Sequence, residues 1–432
     1  MEKLTAFVQE HIADDLTRLV LDRKKWPDID MDLAVSCIQS RRKLKGKVQE
    51  WYMNPELIFP IGLSAEQCSS TATGIYKAGL ASDITEGKAF RLADLTGGLG
   101  VDSWYFSQKA EQIWYHEMQE KLCIAAEHNF KALKAENIVV RNIISTPETI
   151  DSILSEACPD IVYMDPARRG EGGKKVFLIE ECTPDVLTLK EQIFRHCRHI
   201  LLKLSPMADI TMVCNRLGEA CREVHVVATG GECKELLIWM DREWKGEYSI
   251  VAVEISRLTS FARNDSIATL SSRAEFSLSS RAECSMSSRA EFSLSSRAQC
   301  SLSSRAQSRE LFLFEPGKAL MKAGLFELIS NHFGIEKMGV STHYYITDDE
   351  NKLAELQKFG KVYKIISVQP LDKRTIKAAG KEYPHAEVTA RNIPMDTETL
   401  RKKLVVTSGD DAHIFGLKSD KSGNLLIITK RY

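Results

Sequence analysis

The chain has 432 residues, 44% of them hydrophobic and 27% charged, with 58 Lys and Arg against 59 Asp and Glu and a formal net charge of −1. That is enough apolar material for more than one core, so two to four domains are expected. The near-neutral balance excludes a global field that would by itself select a polyanion or a membrane surface. Eleven cysteines are scattered without a C-x-x-C pair or a secretory leader before them. This favours free thiols in a reducing compartment over disulfides or a metal site. No run of about 18 apolar residues occurs, so a soluble, cytoplasmic chain without a membrane partner is expected.

Residues 1–85 read as helices. Leu4, Phe7, Val8, Ile12, Leu16, Leu19 and Val20 recur at three- and four-residue spacing until Pro27 stops the pattern, and a second helix is predicted from Met31. In Leu63 to Leu80, Ser64 and Gln67 have capping-box spacing. Strands and helices then alternate from Phe90 to Met240, which predicts a mostly parallel sheet.

The first strand of that sheet (Phe90, Leu92, Ala93) ends in L-A-D-L-T-G-G-L-G-V-D, Leu92 to Asp102, and leads into a helix with Val101, Trp104 and Tyr105. A dinucleotide site wants G-x-G-x-x-G with the helix N-terminus facing a pyrophosphate. Here the spacing fails, and Asp94 would repel phosphate. A carboxylate at this place suits a cation, while the glycines let the backbone approach a ligand.

The pattern D-x-T-G-G-x-G-x-D resembles motif I of class I methyltransferases that use S-adenosylmethionine. The resemblance implies a Rossmann-like α/β sheet with that cofactor held by Asp94, Thr96, Gly97, Gly98 and Gly100. The stretch E-Q-C-S-S…Y-K-A (Glu66 to Ala78) resembles an element that precedes motif I in a bacterial family of these enzymes. There the helix closes over the methionine end of the cofactor. Glu117, at the end of strand two (Ile113 to His116), would accept the ribose hydroxyls. After strand three (Ile138 to Val140) relatives place an aspartate against the adenine amine. This chain reads R-N-I-I-S, with Asn142 as the candidate and a plain turn residue as the alternative.

Strand four, Asp160 to Met164, ends in D-P-A-R-R-G. Methyltransferases acting on amino nitrogens carry [DN]-P-P-[YFW] here, because a fixed proline backbone aims a carbonyl at the amine and the aromatic stacks on a flipped base. In this chain Asp165 and Pro166 remain, Ala167 replaces the second proline and Arg168 the aromatic, leaving a guanidinium plane for stacking. D-P-A-R also resembles the motif of enzymes that methylate carbon five of uridine. Those need a cysteine nucleophile after strand five. Strand five, His199 to Leu204, is followed by K-L-S-P with no cysteine, and Cys197 precedes it. Lys203 and Ser205 are the substrate-orienting candidates there. A hairpin of Glu223 to Ala228 and Leu236 to Met240 supplies two late strands, one antiparallel, which separates class I methyltransferases from dehydrogenases.

The expected domains are a helical region at 1–85, the methyltransferase domain at 86–245, and a connecting strand and linker at 246–270. Residues 271–308 are copies of an octapeptide, S-S-R-A-E-F-S-L and variants. Eight residues drift about 80° per copy on an α-helix, so no apolar stripe forms, and a disordered or loosely hairpinned insertion is expected. Small α+β domains at 309–350 and 358–432 resemble the ferredoxin-like and THUMP-like domains appended to the same bacterial family, and THUMP domains are RNA-binding modules. Residues 358–432 hold 15 Lys and Arg against 8 Asp and Glu, whereas 86–245 hold 20 against 25. A basic tail beside an acidic catalytic domain suits an RNA substrate. The expected function is methylation of a base in structured RNA. Methylation of a small molecule or protein, and a non-catalytic RNA-binding scaffold, are the alternatives.

Overall fold

The computed structural model describes residues 2–168, 179–255, 271–277, 302–324 and 326–432, with the side chains of Arg168 and of 271–277 outside the described part. The chain divides into two compact units.

The first unit holds Met1–Val227 and Lys234–Tyr248, the N-terminal helices together with the sheet that follows them. Six helices come first: α1 (Glu2–Glu10), α2 (Leu16–Leu21), α3 (Met31–Leu44), α4 (Gln49–Met53), α5 (Gly62–Gln67) and α6 (Thr71–Ile84). Asp15 and Asp30 cap α2 and α3 by accepting from the amides of Arg18 and Leu33. Ser64 and Gln67 do not form a capping box. They lie inside α5, Cys68 breaks the helix with extended backbone, and the reciprocal cap is made by Ser70 and Thr73 at the start of α6.

The sheet of this unit uses β1 (Arg91–Asp94), β2 (Gln112–Glu117), β3 (Ile138–Asn142), β4 (Ile161–Met164), β5 (His199–Leu204), β6 (Cys221–Thr229) and β7 (Glu232–Asp241). Helices α7 (Val101–Ser107), α8 (Glu120–Ala132), α9 (Ile150–Ala157), α10 (Val186–His196) and α11 (Ile210–Leu217) connect the strands through β6. The order is β3-β2-β1-β4-β5-β7-β6. Strands β1 to β5 pair in parallel, and β7 runs antiparallel to β5 with Leu201 opposite Trp239. Gly230 and Gly231, both at positive φ, turn β6 into β7, the two-residue hairpin geometry that favours glycine. Strand order reverses between β1 and β4, and at such a switch point the carboxyl ends of the strands open a crevice.

The N-terminal helices are bound into this unit by specific contacts. Asn129 on α8 accepts from the Ile58 amide and donates to the Ile58 carbonyl, each at 2.8 Å. Trp51 meets Trp104 edge-on at 6.1 Å.

The second unit includes β8 (Ser249–Ile255), α12 (Leu302–Ser308), β10 (Phe312–Pro316), α13 (Lys318–Ala323), α14 (Phe326–Phe333), β11 (Tyr345–Thr347), α15 (Leu353–Phe359), β12 (Gly360–Pro370), α16 (Lys373–Glu382), β13 (His385–Arg391), α17 (Thr397–Leu404), β14 (Thr407–Ser419) and β15 (Gly423–Arg431); between β8 and α12, Ser271–Ser277 forms β9. The two small α+β segments contribute their strands to one sheet, ordered β11-β10-β12-β15-β14-β13 behind a two-residue edge strand at Glu336–Lys337. The reason is the length of β12: its first residues pair with β10, Phe314 opposite Val362, and its later ones with β15, Val368 opposite Ile427. Gly324, left-handed at φ 71°, ends α13 and separates it from α14.

The octapeptide segment departs from expectation at both ends. Ser271–Ser277 is a strand and Leu302–Ser308 a helix, while 278–301 lie outside the described residues. Leu302 is buried in a core cluster with Leu311, Tyr363 and Phe415, and Ala306 packs against it. Burial of one repeat leucine in a core supplies what the repeat lacks by itself.

Candidate functional site

Beyond the ends of β1, β2, β4 and β5 lies a cleft of about 940 Å³, lined among others by Asp94 to Asp102, Glu117, Met118, Ile143, Ile144, Asp165, Pro166, Lys203 and Ser205. It also touches Ser64, Gln67, Cys68 and Ser69 from the α5–α6 junction. The expected cofactor turn and the expected substrate residues are therefore brought to one place, with the pre-motif segment beside them.

The glycine turn is tightly built. A Cβ on Gly97 would lie 2.2 Å from the Tyr115 ring, and one on Gly100, at φ 88°, would lie 2.7 Å from Phe130. Tyr115 cannot withdraw, because it is fully buried and its hydroxyl donates to the Gly98 carbonyl at 2.6 Å. Gly98 itself donates its amide to Glu117 Oε2 at 2.9 Å, and Gln119 donates to Oε1 at 2.8 Å. Each carboxylate oxygen keeps a second lone-pair direction, so Glu117 is both fixed and able to accept further hydroxyls.

Asp94 lines the cleft with its carboxylate turned into the loop of the motif. Its Oδ1 accepts from the Thr96 amide at 3.0 Å and the Thr96 hydroxyl at 3.3 Å, and its Oδ2 from Ser103 at 2.6 Å. The carboxylate shapes the turn from within. Burial pushes its carboxyl up to about 7, against the pull of these hydrogen bonds. The sign follows. A carboxyl with a folded value above its unfolded value near ~4 costs stability as pH rises between the two, on the order of a few kcal/mol by pH 7. Asp94→Asn should flatten that part of the profile. Urea unfolding of both proteins from pH 4 to 7.5 checks this, and parallel profiles would refute it.

Thr96 links the two halves of the site, its hydroxyl accepting from the Asp165 amide at 2.6 Å. Asp165, with its side chain 39% exposed, receives Lys203 Nζ on Oδ2 at 2.5 Å. Burial disfavours the Lys203 ammonium, but Asp165, Asp102 and Glu235 outweigh it and raise the lysine above its ordinary value. Ser205 lines the cleft, its Oγ accepting from the Met207 amide at 3.2 Å. Pro166 is buried and lines the cleft. The Arg168 backbone pairs with Cys182, and its side chain lies outside the described residues.

Asn142 does not reach the cleft lining. Its amide nitrogen donates to the carbonyls of Glu117 and Met118 at 2.9 and 3.1 Å, so it ties β3 to β2 and is committed to backbone. The apolar wall next to Glu117 is formed instead by Met118, Leu122, Ile143 and Ile144.

Sequence reasoning missed a buried charged network beneath the cleft. Lys77 on α6, 0% exposed, donates to Glu235 at 2.8 and 3.0 Å and to Ser69 at 2.9 Å, and lies 3.3 Å from Asp102. Asp102 accepts from Ser69 at 2.9 Å and Tyr163 at 2.8 Å, with Lys203 3.8 Å away. Lys77 and Lys203 together hold the Asp102 carboxyl below its ordinary value despite burial, whereas burial wins at Glu235 and raises it. The signal was present: Asp102 is the last residue of the motif I pattern, and Lys77 the lysine of Y-K-A.

Family models match the second unit. Residues 360–431 match a THUMP domain-like model and residues 312–352 a ferredoxin-like domain model. Among solved structures, a "putative methyltransferase" from Porphyromonas gingivalis W83 is 24% identical, covering 99% of this chain and 97% of its own, with a TM-score of 0.78. An rRNA methylase from Streptococcus thermophilus (11% identity, 38% and 94% coverage, TM-score 0.28) and a second protein described in the same words, from Streptococcus mutans in complex with SAH (13%, 38% and 96%, 0.27), are too distant to add weight. No curated protein matches the sequence. Strand order, late antiparallel hairpin and full-length structural match agree: the chain combines a class I methyltransferase fold with C-terminal ferredoxin-like and THUMP-like domains.

Proposed function

We propose that the protein is an S-adenosylmethionine-dependent methyltransferase that modifies a base in structured RNA. The observation that carries the reading is the convergence in one cleft of a glycine turn, a carboxylate fixed with spare acceptor capacity, and the Asp165–Lys203 pair. The residues fit the cofactor. Glu117 would take the ribose hydroxyls, Met118, Ile143 and Ile144 the adenine faces, and Gly97 and Gly98 the close backbone approach. When bound, the cofactor supplies an electrophilic methyl group. The chain's own part is to position the acceptor and exclude water, which supports rate through proximity and desolvation.

The second unit supports RNA over a small molecule. Lys373, Arg374, Lys377 and Lys381 on α16 and Lys402 and Lys403 on α17 are exposed, and among the described residues none of them forms a salt bridge with a carboxylate. The two helices meet where Gly380 lies against the Leu404 carbonyl, so a Cβ at 380 could not be accommodated. Reversing Lys377, Lys381, Lys402 and Lys403 to glutamate should weaken binding of bulk tRNA or rRNA at least about tenfold and flatten its salt dependence, since each lost phosphate contact removes a counterion-release step. Filter binding across 50 to 200 mM salt measures both. An unchanged affinity and slope would remove the reason for assigning RNA to this face. Comparison of modified nucleosides in total RNA with and without the gene tests the whole reading, because a missing methylated nucleoside is required.

A further inference from the structure

The Asp165–Lys203 pair constrains which kind of nitrogen the cleft can methylate. Lys203 Nζ stands 2.5 Å from Asp165 Oδ2, with only 11% of the lysine side chain exposed, and both residues line the cleft. Asp165 Oδ1 makes no hydrogen bond among the described residues, and Lys203 has donors beyond the one given to Asp165. A second carboxylate, Asp102, lies 3.8 Å from the ammonium and is itself held by Tyr163, Ser69 and Lys77, so the ammonium is anchored by two fixed anions. The cleft therefore presents one acceptor and one fixed positive donor side by side.

An exocyclic amine develops positive charge on nitrogen as it attacks a methyl group, and an adjacent ammonium opposes that charge in a partly dry site. A ring N–H beside a carbonyl behaves oppositely. Its lone pair is delocalised, so the proton must leave as the bond forms, and negative charge grows on the neighbouring oxygen, where a positioned ammonium stabilises it.

We propose that the acceptor is the lactam edge of a nucleobase, the N1–H/O6 edge of guanine or the N3–H/O4 edge of uracil, with Asp165 receiving the proton and Lys203 meeting the carbonyl oxygen. The ring nitrogen pair forms the new N–CH3 bond, and the S–CH3 bond breaks with its electrons kept by sulfur, which becomes a neutral thioether. The proton passes to Asp165 and from its exposed side to water. Ala167 and the chain after it supply no D-P-P-aromatic motif, in keeping with an acceptor other than an exocyclic amine.

This inference rests on the RNA methyltransferase reading, and one experiment separates the two. Full-length protein is incubated with methyl-labelled S-adenosylmethionine and RNA from cells lacking the gene, and the labelled nucleoside is identified by mass spectrometry. The expected product is 1-methylguanosine or 3-methyluridine. Label in an N6-methyladenosine, N4-methylcytidine or N2-methylguanosine product overturns the lactam assignment and leaves the methyltransferase reading standing; no label in any RNA overturns both. Lys203→Met should lower kcat about 100- to 1000-fold with cofactor affinity unchanged, while Lys203→Arg retains part of the rate. A readout independent of turnover is nucleoside binding in the presence of S-adenosylhomocysteine. Guanosine or uridine should bind at least about tenfold more tightly than adenosine and cytidine in the wild type, and equal binding of all four would count against the pair as the selector.

Discussion

Lys77→Met is expected to lower stability by about 3–5 kcal/mol, the cost of removing one partner from a buried ion pair. The ammonium sits at 0% exposure against Glu235 at 3% and next to Asp102 at 12%. Methionine preserves most of the volume, so the loss is electrostatic: two carboxylates would remain in a site whose other cation, Lys203, is engaged by Asp165. Against a typical total of about 5–15 kcal/mol, such a loss is severe. The deficit should grow as pH rises, since burial already holds Glu235 above its ordinary value and each further ionisation without Lys77 is penalised. Adding Glu235→Gln should recover part of the loss. Chemical denaturation of the single and double variants at pH 5 and 8 is the measurement, and a single variant as stable as wild type would show that the network carries no load.

Gly97→Ala should abolish measurable S-adenosylhomocysteine binding, a loss of at least about 100-fold. It should also lower stability by about 1–3 kcal/mol from overpacking. The added methyl would meet the Tyr115 ring at 2.2 Å, and that ring carries the hydroxyl that holds the Gly98 carbonyl. Any shift of Tyr115 therefore moves Gly98 and, through its amide, Glu117. Gly98→Ala is the internal comparison. Its φ of 56° makes alanine strained, yet no atom stands closer than 3.7 Å, so the expected cost is about 1–2 kcal/mol without a collision. Calorimetric titration of the three proteins separates the cases. Full affinity in Gly97→Ala would detach the glycine turn from cofactor binding.

The legibility of the sequence varied with how local each interaction is. The parallel strands were readable because buried strands are short apolar runs, and β5, His199 to Leu204, emerged with its full extent. Capping is as local: Asp396 accepts from the Thr399 amide at the start of the helix Thr397–Leu404. Hidden from local reading were relations across long separations: Lys77 with Glu235, 158 residues apart, and the pairing of β10 with β12, which joins the strands of the two small segments in one sheet. Asp94 and Asn142 stood at the right places with different partners, because a polar side chain at a strand end can turn inward to backbone and loop donors as readily as outward to a ligand.

The helix Leu302–Ser308 bears on how this gene can change. Its attachment uses Leu302, Ala306 and Arg305, the last pairing with Glu336 at 2.6 Å. Those are the eighth, fourth and third letters of the octapeptide, and the same letters recur in earlier copies as Leu294, Ala298 and Arg297, or Leu278, Ala282 and Arg281. Slippage during DNA replication that removes or adds whole copies keeps the reading frame and delivers an equivalent arginine and alanine to the same socket, with a leucine from every copy but the second, which carries Met286 at that letter. The anchor is thus interchangeable among the copies that end in leucine. A change in copy number that leaves leucine at the anchor needs no compensating change elsewhere, whereas a substitution at Glu336 would be felt whatever the number of copies.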